Sequence, residues 1–169
     1  MQKFTLNWVL AHEPIELFLR AAEVFIADVN ARAPGQFNIE VMTMSEYSEK
    51  YNNGVQVSKH DLVELMDQGL IQMSQTYTIT LGKINKDFFA LDLPFLFNDH
   101  DHATRVFEGD VGTELLDSLQ NYRKIKGLAF TYSGGFRIIP GNERVERIED
   151  LRGMRVRTSY SPIAIDTFK

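Results

Sequence analysis

The first eighty residues switch hydrophobic period again and again, and this alternation narrows the fold more than any other feature. In residues 3–9, KFTLNWV, the apolar Phe4, Leu6 and Trp8 alternate with Lys3, Thr5 and Asn7. That is the period of a strand with one buried face. From His12 to Gly35 the period lengthens. Ile15, Phe18, Leu19, Ala22, Phe25, Ile26 and Val29 form one apolar stripe at helical spacing. Pro14 suits the first turn and Pro34-Gly35 ends the helix. Residues 37–44, FNIEVMTM, read as a second strand, and 45–57 as a polar stretch closing on the turn pair Asn53-Gly54. A short helix follows over 58–69, from an N-cap at Ser58 to a stop at Gly69, and then a third strand over 70–79, LIQMSQTYTI. The order strand, helix, strand, helix, strand predicts a parallel or mostly parallel sheet with helices on its faces.

Beyond residue 80 the pattern is looser. FFALDLPFLF (88–97) is very apolar, but Pro94 cannot donate to a sheet ladder, so it reads as a buried irregular segment. Residues 98–122 read as helix, broken near Gly109–Gly112. Residues 127–139 read as a strand region interrupted by Gly134-Gly135, 154–158 (MRVRT) as a strand, and 162 onward as a helix capped by Ser161 with Pro162 at its first position. With only about two turns left before Lys169, the chain is expected to stop partway through a second lobe.

Charge and composition exclude several functions. The net charge is −5, and the basic residues are scattered apart from a cluster at 144–157, which argues against a nucleic-acid partner. There are no cysteines, hence no disulfides and no thiolate metal site. No apolar run is long enough to span a bilayer. The N-terminus lacks the shape of a signal peptide, which leaves either a cytoplasmic protein or one whose signal has been removed. Neither a nucleophile elbow nor a phosphate loop is present.

Four segments together carry a family resemblance: KFTLNWV with the amphipathic helix and FNIEV after it; LPFLF (93–97) followed by NDHDHATRVF; GGFRII; and IEDLRGMRVRT. The chain resembles the extracytoplasmic solute-binding proteins of tripartite ATP-independent periplasmic (TRAP) transporters, the DctP family, over about the first half of a member. The last segment is the most specific. It departs from the family only in Arg152 and Arg155, which stand where lysine is usual; residues 45–57 match the family pattern poorly. The resemblance implies an α/β, two-lobed periplasmic-binding-protein-like fold. The expected division is residues 1–133 as an incomplete first lobe and 134–169 as the start of a second. It further implies capture of a small carboxylate and its delivery to the small and large membrane subunits of a TRAP transporter. A periplasmic location, a monomeric whole protein, and the absence of a cofactor or of any enzymatic reaction belong to the same expectation.

The residues themselves leave two readings of Arg157. Arg155 and Arg157 share one face of MRVRT, which is either a solvated face or, at the strand's C-terminal end, one that looks into a cleft. A guanidinium there can grip a carboxylate through two parallel hydrogen bonds, and the resemblance assigns that role to Arg157. Arg137, just after Gly134-Gly135-Phe136, is either a turn arginine paired with Glu149 or Asp150, or a second cationic contact. Asn7 and the pair Gln75 and Tyr77, placed at strand ends, are candidate hydrogen-bonding contacts. Tyr132 and Ser133 are weaker candidates, and Trp8 reads as core. Arg144, Arg147, Arg152 and Arg155 need no special role. His100, Asp101 and His102 suggest a metal-assisted hydrolase, but His100 and His102 are two apart, not one helical turn, and an N-cap at Asn98 or Asp99 explains the segment. His12 and His60 stand alone. A sensor or ligand-presenting protein on the same fold is the other alternative to transport.

Overall fold

The computed structural model describes residues 3–13, 16–135 and 141–169. Arg137 and the strand expected at 136–139 lie outside the described residues, as do Pro14 and Ile15. The alternating region folds as β1 (Phe4–Leu10), α1 (Glu16–Arg32), β2 (Phe37–Thr43), α2 (Met44–Tyr51), α3 (Leu62–Asp67), β3 (Met73–Gln75) and α4 (Thr78–Leu81). The three strands form one parallel sheet in the order β2-β1-β3. Leu10 lies opposite Thr43 on one side and Gln75 on the other, so the three strands end together at one edge.

Alternation along β1 sorts its side chains to two cores. Trp8 and Leu10 pack with Phe18 and Ala22 of α1. Val9 and Ala11 pack with Met42, Tyr47, Leu62 and Ile71 beneath α2 and α3. Val9 and Leu10 are fully buried, and each such side chain stabilises the fold by about 1.5–3 kcal/mol. The apolar stripe of α1 therefore faces the sheet as expected, with Phe25 at its margin, edge-on to Trp8.

Several expectations are corrected. The polar stretch at 45–57 contains α2, whose start is a capping box. Thr43 Oγ1 accepts from the Glu46 N–H at 3.0 Å, and Glu46 Oε2 accepts from the Thr43 N–H at 2.7 Å. The Glu13 carboxylate also accepts from the Ser45 N–H and Oγ, which ties the end of β1 to this helix start. Thr43→Ala is expected to cost about 1 kcal/mol, measured as a lower urea midpoint at unchanged slope. Ser58 caps a preceding turn, while α3 begins at Leu62. The third strand is short. Residues 70 and 71 donate to the Leu65 carbonyl in the turn around Gly69, and β1 ends at Leu10, leaving no ladder partner beyond Gln75. Thr78–Leu81 then coils into α4.

The remainder follows as a 3₁₀ turn (Lys86–Asp92), α5 (His100–Glu108), α6 (Asp110–Ser118), 3₁₀ turns at Leu119–Asn121 and Ile148–Leu151, and α7 (Pro162–Asp166). The helix break falls at Gly109, and Asp99 caps α5 by accepting from the His102 N–H at 2.7 Å. A third core gathers Val63, Leu81, Phe88, Leu119 and Ile125. The segment 88–97 is buried only in its first part. Phe88 is enclosed, whereas Leu93, Phe95 and Leu96 are exposed, with Phe95 at a φ of 58°. Residues 127–133 and 154–158 form no strand: neither joins the ladder of the three described strands. The alternation in 154–157 nevertheless survives as exposure: Met154 and Val156 are half-buried, Arg155 and Arg157 exposed.

Candidate functional site

A cleft of about 1260 Å³ opens between two stretches of chain. One wall is Lys59, His60, Tyr77, Ile79, Thr80 and Lys83; the other is drawn from residues 141–143, 150, 152–160 and 168.

The first wall is built from the turn before α3 and from α4. Ser58 holds the turn by donating its N–H and Oγ to Asp61 Oδ2 at 2.9 and 2.7 Å. These bonds, the side-chain one foremost, hold the Asp61 carboxyl below its usual range, so it stays anionic and engaged. Lys59 and His60 sit on this turn. The ammonium of Lys59 lies 5.5 Å from the centre of the Tyr77 ring, a cation–π contact. The ring itself is braced edge-on by Phe18 at 6.4 Å, and burial pushes its phenol pKa up, so it remains a neutral donor. On the second wall the Asp150 carboxylate accepts from the Glu146 and Arg147 N–H groups at 2.9 and 3.0 Å, which lower its pKa. Ser159 lines the cleft, but its hydroxyl oxygen is buried and, among the described residues, has no hydrogen-bond partner.

Charge is what sets this cleft apart. Lys59, Lys83, Arg152, Arg155 and Arg157 line it against two carboxylates, Glu143 and Asp150. Among the described residues none of these five cations forms an ion pair. An acidic chain thus concentrates positive charge in one concavity, a field that attracts small anions.

Of the expected contacts, the structure brings Arg157 and Tyr77 into this cleft. Arg157 reaches it from an unpaired segment and not from a strand end. Gln75 is at the C-terminal edge of the sheet, but its Nε2 donates to Thr131 Oγ1 and its Oε1 is buried with no partner among the described residues. Asn7 lies mid-strand, opposite Glu40 and about 10 Å short of the edge. Its N–H donates to Gln72 Oε1 and its carbonyl accepts from the Gln72 N–H, so the strand-end reasoning fails for it. Tyr132 shares a 2.8 Å hydrogen bond with Thr104 on α5 and packs against His100; neither it nor the exposed Ser133 lines the cleft. Trp8 is core, as expected. Lys59 and Lys83 were missed, and His60, Arg152 and Arg155 were set aside, yet all five line the cleft. Only the tertiary approach of residues 141–168 makes them neighbours. As for metals, no group of three or more His, Asp or Glu among the described residues is placed to hold an ion. His102 instead accepts from the Asn98 N–H and packs on Phe97.

The family model described as bacterial extracellular solute-binding protein, family 7, matches residues 11–169. The chain belongs to this family. The C4-dicarboxylate-binding protein DctB of Bacillus subtilis is 32% identical over 150 residues, covering 88% of this chain and 40% of that protein. The C4-dicarboxylate-binding periplasmic protein DctP of Rhodobacter capsulatus is 32% identical over 130 residues, covering 70% and 38%. Among solved structures, a TRAP periplasmic solute-binding protein from Ochrobactrum anthropi superposes with a TM-score of 0.84 at 25% identity, over 99% of this chain and 49% of that one. One from Citrobacter koseri, with bound D-glucuronate, gives 0.74 at 25% identity over 98% and 52%. The family 7 chain described here thus has the α/β fold of TRAP solute-binding proteins, and spans about two fifths of these curated relatives and half of these solved chains.

Proposed function

We propose that this family 7 protein captures a small organic acid outside the cytoplasm, in the cleft between residues 59–83 and 141–168, and delivers it to the membrane subunits of a TRAP transporter. The observation that carries the reading is the cleft's surplus of cations, none of them paired among the described residues. Arg157 grips the carboxylate through its planar fork. Tyr77 supplies a neutral hydrogen bond. The division at about residue 133 into two lobes makes the cleft an inter-lobe one, and a hinge motion closes it on the ligand. The relatives named for C4-dicarboxylates and the solved relative holding D-glucuronate support an acid of this size.

A thermal-shift panel of small organic acids tests the reading. A ligand that binds only the folded state raises the melting temperature by mass action; at a hundred times its Kd the stabilisation is about 2.7 kcal/mol. One or more carboxylates should raise it in a dose-dependent way while the matching neutral polyols do not. A panel with no shift at millimolar concentration defeats the reading.

A further inference from the structure

One residue lining the cleft can change its charge near neutral pH. His60 stands on the turn before α3, and the turn fixes its backbone. Ser58 Oγ accepts from the His60 N–H at 3.3 Å and itself donates to Asp61 Oδ2 at 2.7 Å. The imidazole forms no ion pair among the described residues. The other three histidines are absent from the cleft lining. His12 packs on Phe18, His100 on Tyr132, and His102 accepts from the Asn98 N–H.

The ionisable groups around His60 hold their charge through the range in which histidine titrates, roughly pH 5–8. Its own wall carries Lys59 and Lys83, together with Tyr77, whose phenol burial keeps neutral. Its neighbour Asp61 is kept anionic by the Ser58 bonds. The other wall presents Arg152, Arg155 and Arg157, the carboxylates Glu143 and Asp150, and the Tyr160 phenol. Lysine, arginine, tyrosine and carboxylate side chains ordinarily ionise outside that range. With His60 neutral, the lining sets five cations (Lys59, Lys83, Arg152, Arg155, Arg157) against two anions (Glu143, Asp150). Protonation of His60 alone adds a sixth.

We infer that His60 is a further anion contact of the cleft, and that its protonation makes capture tighter as pH falls. This rests on the proposed capture of an organic acid in the same cleft. A neutral imidazole offers one N–H; the imidazolium offers two donors and a charge, and a charge-assisted hydrogen bond is about twice as strong as a neutral one. A bound anion favours the protonated ring, so by linkage the proton favours the anion. The added affinity is complete at pH values below the pKa of His60 in the free protein. It is lost as pH rises through the higher pKa of the complex. His60 is exposed, and solvent screening keeps the gain modest.

Titration calorimetry on the protein with D-gluconate, D-glucuronate, L-lactate and pyruvate tests the inference. All four are monocarboxylates that stay ionised from pH 5.5 to 8.0, so a change of affinity belongs to the protein. Binding is expected to be at least threefold tighter at pH 5.5 than at pH 8.0. At pH 6.5, buffers of different ionisation enthalpy should reveal uptake of a fraction of a proton per acid bound. His60→Gln should abolish both the pH dependence and the uptake, and His60→Lys should keep the tighter binding up to pH 8.0, with circular dichroism spectra unchanged. Affinity that is flat in pH, or a pH dependence that survives in His60→Gln, overturns this inference but leaves the organic-acid reading standing. No binding by any of the four at any pH overturns both.

Discussion

Arg157→Ala is expected to weaken binding of the cognate acid by roughly thirty-fold to several thousand-fold, the equivalent of about 2–5 kcal/mol for a carboxylate left without its partner in a closed cleft. The loss should appear mainly as faster dissociation. Arg157 is exposed and carries no ion pair among the described residues, so the same variant should change folding stability by no more than about 0.5 kcal/mol. That pairing of outcomes is diagnostic. Arg157→Lys keeps the charge and loses the bidentate fork; it should fall between the two. Undiminished affinity of Arg157→Ala in calorimetry would remove Arg157 from the site, and the anion would then have to rest on Arg152, Arg155 or the lysine wall.

Phe88→Ala should be the most destabilising single truncation in the described core, at about 3–5 kcal/mol. Phe88 is fully buried where Val63 of α3, Leu81 of α4, Leu119 and Ile125 converge, and its ring lies 6.5 Å from that of Phe130. Four chain segments with few backbone bonds between them meet on this one side chain, so the cavity left behind has little regular structure to close it. Single domains are stable by only about 5–15 kcal/mol, which makes the loss a large fraction of the total. Urea unfolding measures it as a lower midpoint, while Phe88→Leu should lose markedly less. The effect reaches the site as well: Leu81 belongs to the same cluster, and Thr80 and Lys83 beside it form part of the cleft wall. A loss below about 1 kcal/mol would mean that the cluster closes over the gap.

Much of the scaffold was legible because its cause is local. The strand of Phe4–Leu10 and the stripe on α1 follow from the spacing of apolar residues, and the helix break at Gly109 and the cap at Asp99 follow from single residues. The capping box Thr43–Glu46 was equally local and was passed over because the residues after it are polar. The misjudged elements share a different cause. Residues 127–133, 154–158 and 76–79 have strand-forming composition, but a strand exists only when a neighbour pairs with it, and nothing in a residue's own identity reveals that the neighbour ends at Leu10 or is missing. Asn7 was misplaced for a related reason: which residue stands at the sheet edge depends on register between strands, which places Leu10, Thr43 and Gln75 there.

By itself, then, the sequence determined the parallel α/β class, the two faces of the sheet and the family. These rest on periodicities and motifs carried within short stretches of chain. Only the tertiary structure decided which charges share a cleft. Lys59 and Lys83 lie about seventy to a hundred residues before Arg157, and electrostatic attraction depends on distance through space, not along the chain. It took the approach of residues 141–168 to the turn before α3 and to α4 to turn scattered basic residues into one anion-attracting cleft.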